Sequence, residues 1–117
     1  MSPLATLHVQ NPRNRGEFPG ATHVGTGGEP GEGPYVRVWL LVEGDTIRHA
    51  TYDSHGCPAS VAAASVLCQI VTGRTLAQAA LLTAPDLLTI IGGLPEGKEH
   101  FADLAVRALQ TATQGQQ

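Results

Sequence analysis

Thiols and basic residues are both scarce in this chain. Two cysteines, Cys57 and Cys68, make no disulfide framework, and if both lie on one helix about three turns apart they cannot bridge each other. The default expectation is a reduced, cytoplasmic protein. Only 7 Lys and Arg stand against 10 Asp and Glu, for a net charge of −3. They are spread thinly, so nucleic acid is not an expected partner, nor is an anionic membrane surface. No N-terminal apolar stretch resembles a signal peptide, and the longest apolar runs are too short and broken to span a bilayer. No CxxC or HExxH spacing anchors a metal, and no Gly-Lys-Ser/Thr closes the glycine-rich stretch as a phosphate loop would.

What is present suits one domain over residues 1–117, large enough to bury a core without disulfides or a structural metal. Residues 1–10 and 114–117 are expected to be flexible ends. The turn formers Asn11-Pro12-Arg13-Asn14-Arg15-Gly16 break any helix begun in Pro3 to Val9. From Val24 to Pro34 the glycines predict a loop leading into a strand. Tyr35 to Val42 alternates, with Val36, Val38, Leu40 and Val42 on one face. Glu43-Gly44-Asp45 turns the chain, and Thr46 to Ser54 returns as the second arm of a hairpin.

The stretch Asp53-Ser54-His55-Gly56-Cys57-Pro58 is where strand gives way to a long apolar helix, Ala59 through Val71. Pro58 suits the first helical position, since its missing N–H has no intrahelical acceptor to lose. Cys57 therefore stands at a helix start, where free N–H groups and the helix dipole favour a thiolate that can act as nucleophile or metal ligand. The plainer reading is a small buried hydrophobe at a tight turn. Cys68, among aliphatic neighbours, reads as core. Thr75 caps a short helix through Leu82, Thr83 or Ala84 opens another to Ile91 that Gly92-Gly93 stops, and the last helix spans about Glu99 to Thr113. Strands first and helices after describe an α+β fold, a three-stranded or similarly small antiparallel sheet with helices packed on it.

Polar ligands cluster at three places: Glu29 and Glu32 in the glycine stretch, Asp53, His55 and Cys57 at the strand-to-helix turn, and Glu99 and His100 at the last helix start. A thiolate, an imidazole and a carboxylate suit zinc or iron. Their order in the chain carries a resemblance. Asn11-Pro12-Arg13-Asn14, Val24-Gly25-Thr26-Gly27, Gly56-Cys57 before a small-residue helix, Thr72-Gly73-Arg74-Thr75-Leu76, and Leu94-Pro95 with Lys98 and His100 together resemble the IscU/NifU N-terminal family of iron–sulfur cluster assembly scaffolds.

The resemblance implies a curved antiparallel sheet covered by helices. It also implies a non-enzymatic scaffold role, with a cysteine desulfurase and apo iron–sulfur proteins as partners. Cys57 matches the family's middle ligand cysteine and His100 its histidine, whereas Glu32 and Phe101 stand where the other two cysteines would be and Pro34 replaces an aspartate. The chaperone-recognition segment also departs, reading Leu94-Pro95-Glu96-Gly97-Lys98. The expected metal residues are Cys57, His100 and Glu32, with His55 and Asp53 as weaker candidates. They allow a mononuclear Zn²⁺ or Fe²⁺, a 2Fe–2S cluster shared across a homodimer by two Cys57 and two His100, or no metal. Two alternatives remain: a relative that has lost the cluster site and binds partners or a single metal, and a small thiol enzyme using Cys57 with His55 or His100 as base.

Overall fold

The computed structural model describes residues 2–10, 15–29 and 31–114, and the chain runs α1 (Pro3–Gln10), β1 (His23–Gly28), β2 (Tyr35–Glu43), β3 (Thr46–His55), α2 (Pro58–Val71), α3 (Leu76–Ala80), α4 (Ala84–Ile91) and α5 (His100–Thr113). The Asn11-Pro12-Arg13-Asn14 motif and the tail 115–117 lie outside the described residues. The three strands form one antiparallel sheet in the order β1-β2-β3.

Alternation in β2 is borne out: Val36, Val38 and Leu40 are fully buried on one face, opposite Ser54, Tyr52 and Ala50 of β3. The hairpin turns at Gly44, whose φ of 66° is cheap only for glycine. A bulge follows at once. Leu41 pairs with His49 but Val42 with Ile47, so Arg48 is left over, and Arg48 and His49 are both exposed. The surplus residue restores the inward run of Ala50, Tyr52 and Ser54 and leaves Asp53 and His55 on the outer face, paired with Arg37 and Tyr35.

The glycine stretch departs from expectation. Its first part is strand β1, not loop, paired along its length with β2. The reason lies in α5, which crosses directly over it. A Cβ at Gly25 would sit on the Ala108 carbonyl oxygen and the Ala112 backbone nitrogen, and one at Gly27 on the Leu104 carbonyl oxygen. Glycine is poor strand material by propensity, but here it lets helix and strand backbones touch.

Helix α2 carries Ala59, Ala62, Ala63 and Ala64 beside Val66, Leu67 and Val71, all buried, so it needs cover on several sides. The sheet and α5 supply two of them and α1 a third. Within residues 1–10, expected to be a flexible end, Pro3–Gln10 form α1, which is packed on α2. Ala5 is fully buried, the His8 Nδ1 lies 2.7 Å from the Ser65 hydroxyl, and the Ser2 hydroxyl donates to the Ile91 carbonyl at 2.6 Å. The apolar surface of α2 recruits the segment that its own sequence would not hold in a helix.

Both short helices begin with a reciprocal cap. Thr75 accepts from the Gln78 N–H while the Gln78 side chain accepts from the Thr75 N–H, and Thr83 and Asp86 repeat the exchange. Gly92 closes α4 in the left-handed region at φ 88°. Leu40, Ile47, Leu67, Leu87, Ile91 and Leu109 are fully buried in one continuous core, each stabilising the fold by roughly 1.5–3 kcal/mol relative to exposure. No described helix is long and apolar enough to cross a membrane.

Candidate functional site

Cys57 is the N-cap of α2, extended at φ −124° and ψ 177°, with Pro58 in the first turn. Unlike the serine or threonine common at such positions, it makes no side-chain cap hydrogen bond. Its carbonyl is engaged instead, accepting the Ser60 N–H at 2.9 Å and the Ser60 hydroxyl at 2.7 Å. The thiol is half-buried against the edge of the core. Cys68, three turns along the same helix, is sealed from solvent, and burial pushes its thiol far above the ordinary range. Of the two sulfurs, only Cys57 is within reach of a reagent.

The strand-to-helix turn hinges on Gly56, with φ 152°. Phe101, one residue into α5 and 3 % exposed, packs against it: a Cβ on Gly56 would lie 2.8 Å from the ring Cε1 and 3.4 Å from the Ser60 hydroxyl. The start of the last helix thus meets the Cys57 turn, a contact between residues far apart in sequence. His100 is exposed, its ring 4.2 Å from that of Phe101 and tilted 35°.

The other candidates divide. His55 is exposed on the outer sheet face, its ring stacked on Tyr35 at 6.0 Å and 17°. The Arg37 guanidinium carbon lies over the Tyr35 ring, 6.0 Å from its centroid, and the Arg37 Nε donates to the Thr26 hydroxyl at 3.0 Å. Asp53 uses one carboxylate oxygen to accept the Ser54 N–H at 2.9 Å. Glu32 is exposed in the connection from β1 to β2, its N–H donating to the Glu29 carbonyl at 3.0 Å. Since that connection joins Gly28 to Tyr35, and Tyr35 pairs with His55, the Glu32 loop, the Cys57 turn and the α5 start share one end of the sheet. Among the described residues, no three or more of His, Cys, Asp and Glu form a group able to hold a metal ion.

One neighbour escaped sequence reasoning, and another entered it only as a missing ligand. Tyr35 reads in the sequence simply as the first residue of a strand, and its partnership with His55 follows from the hairpin register once the bulge is counted. Phe101, met in the sequence only as the residue standing where a ligand cysteine would be, is the wall beside Gly56. No spacing in the sequence points to that contact.

Comparison with known proteins now bears on this geometry. The family described as NifU-like N terminal domain matches residues 4–115. The chain is 41% identical over 112 residues to the bifunctional protein NifU/MnmA of Rubrobacter xylanophilus, covering 94% of this chain but only 23% of that protein. It is 34% identical over 105 residues to the iron-sulfur cluster assembly scaffold protein IscU 1 of Archaeoglobus fulgidus, covering 90% of this chain and 69% of the other. In fold it is similar to the N-terminal part of a nitrogen-fixing NifU-like protein from Brucella abortus, with a TM-score of 0.70 at 18% identity over 97% of this chain and 91% of that one. The expected three-stranded antiparallel sheet covered by helices is borne out, its likeness to that solved structure extends over nearly the whole chain, and the chain belongs to the NifU-like N-terminal domain family.

Proposed function

We propose that this chain serves iron–sulfur cluster assembly as a scaffold-type protein and that Cys57 is the atom through which it does so. Support comes from relatives named as assembly scaffolds. The observation that carries the reading is the Cys57 thiol itself, half-exposed at a helix N-terminus, free of any capping bond and at the end of the sheet where three loops meet. The partners are a protein that presents a persulfide, of the cysteine desulfurase class, and apo iron–sulfur proteins. The chain acts in the cytoplasm as one domain and turns over no substrate of its own.

Sulfur uptake needs no metal and no redox change. The Cys57 thiolate attacks the outer sulfur of the donor persulfide. The donor's S–S bond breaks, a new S–S bond forms at Cys57, and the donor leaves as a thiolate. Iron, as cargo, would draw first on Cys57 and His100 as soft and borderline donors, then on Glu32, with His55 and Asp53 further down the order. The test is incubation with a cysteine desulfurase and free cysteine, followed by intact-mass analysis. One added sulfur atom per chain, lost in Cys57→Ser, is the expected result, and sulfur uptake that survives this substitution overturns the assignment.

A second reading is favoured by the ring-on-ring packing of His100 and Phe101, which ties up the α5 start. It is a partner-binding module that handles a single metal or none. Binding to the desulfurase without any sulfur transfer is the outcome it requires.

A further inference from the structure

A 2Fe–2S cluster takes four protein ligands, mostly thiolates. This chain offers far fewer. Cys68 is sealed among core residues, so one thiol, Cys57, is available. The remaining candidates are imidazoles and carboxylates, the latter hard oxygen donors poorly matched to an iron–sulfide core. Where α5 reaches the Cys57 turn, it delivers hydrocarbon. The Phe101 ring is 3 % exposed, with Cε1 and Cζ at 2.8 and 3.2 Å from the place of a Gly56 Cβ. The nearest hydroxyl, that of Ser60, is already donated to the Cys57 carbonyl. The His100 ring lies against the same phenyl group.

We infer that Phe101 closes the corner of the Cys57 site at which α5 would otherwise present a donor, so that the residues of one chain hold no 2Fe–2S cluster. The inference rests on the reading that Cys57 serves iron–sulfur assembly, and it narrows that role to sulfur handling by a single thiol. The wall has a chemical consequence. A persulfide beside a second thiol is consumed when that thiol attacks its inner sulfur, forming a disulfide and releasing sulfide. With phenyl in place of a thiol, a persulfide on Cys57 has no internal attacker and lasts until an external acceptor takes its outer sulfur.

Anaerobic reconstitution of the full chain with ferrous iron and sulfide tests this, reading iron, acid-labile sulfide, visible absorption and sedimentation. The wild type is expected to carry no cluster, or at most one per two chains in a dimer. One cluster per chain in a monomer overturns the inference. The double variant Phe101→Cys with Glu32→Cys is expected to bind several-fold more iron and sulfide than a Phe101→Ser with Glu32→Ser control, which opens the same space without thiols. Equal binding by the two overturns the role given to Phe101. The wild-type measurement stands whether or not the variants fold. Failure of Cys57 to accept sulfur in the separate mass assay would count against the assembly reading and leave this result untouched.

Discussion

Helix α5 meets glycine in two places, and the two meetings serve different ends. Along β1 it presses backbone to backbone over Gly25 and Gly27, with no space for a side chain. At its first turn it sets the Phe101 ring against Gly56 and leaves the neighbouring thiol half-exposed. The first contact holds the sheet and helix layers together. The second shapes the surroundings of a reactive atom. Glycine does structural work at the seam through what it lacks, and at the turn also through the positive φ that swings β3 into α2.

The sharpest way to break this contrast is Gly27→Val. Its side chain would occupy the position of the Leu104 carbonyl, so α5 must lift off β1. The expected loss is several kcal/mol, a large share of the roughly 5–15 kcal/mol of a typical domain, and thermal circular dichroism should show little folded protein. A melting point within a few degrees of wild type would show that the seam tolerates separation. Phe101→Ala should cost somewhat less, about 3 kcal/mol, because it leaves a cavity at one end and not a clash along the layer. It should also speed Cys57 alkylation, which the seam variant tests only by unfolding. An unchanged rate at a folded Cys57 would separate the ring from the thiol's environment.

The smallest effect concerns the two cysteines. Native protein at neutral pH should take one equivalent of a thiol reagent, at Cys57, and unfolded protein two. Because burial raises the Cys68 thiol, folded and unfolded states both keep its proton below the ordinary thiol range. Above about pH 8.5 the unfolded chain releases it first, so this contribution to stability fades with rising pH by at most about 1.4 kcal/mol per unit. Denaturant melts of wild type and Cys68→Ala between neutral and alkaline pH should converge. Parallel curves would mean that Cys68 is not sealed.

Much of the fold was legible in local pattern. The alternation of Val36, Val38 and Leu40, the proline after Cys57, and the threonine caps at 75 and 83 each act through neighbours in the chain, and each predicted its element. What failed was set by distant partners. Strand β1 looked like a loop because Gly25 and Gly27 make sense only under α5, and α1 looked loose because its cover is the alanine surface of α2. The candidate site divides in the same way. The position of Cys57 at a helix start was readable from Pro58, but the arrival of Phe101 at Gly56 is a tertiary event with no local sign.

The register of β3 carries a last consequence. Arg48, left without a partner between Ile47 and His49, is a spacer in the count from the hairpin turn to the sulfur. Were it drawn into the ladder as an ordinary paired residue, parity along the arm beyond it would invert: Tyr52 would swing to water, His55 would be driven toward the hydrocarbon, and the stacking of imidazole on phenol would be lost. The chemistry at one end of the sheet is thus indexed by a single uncounted amino acid at the other.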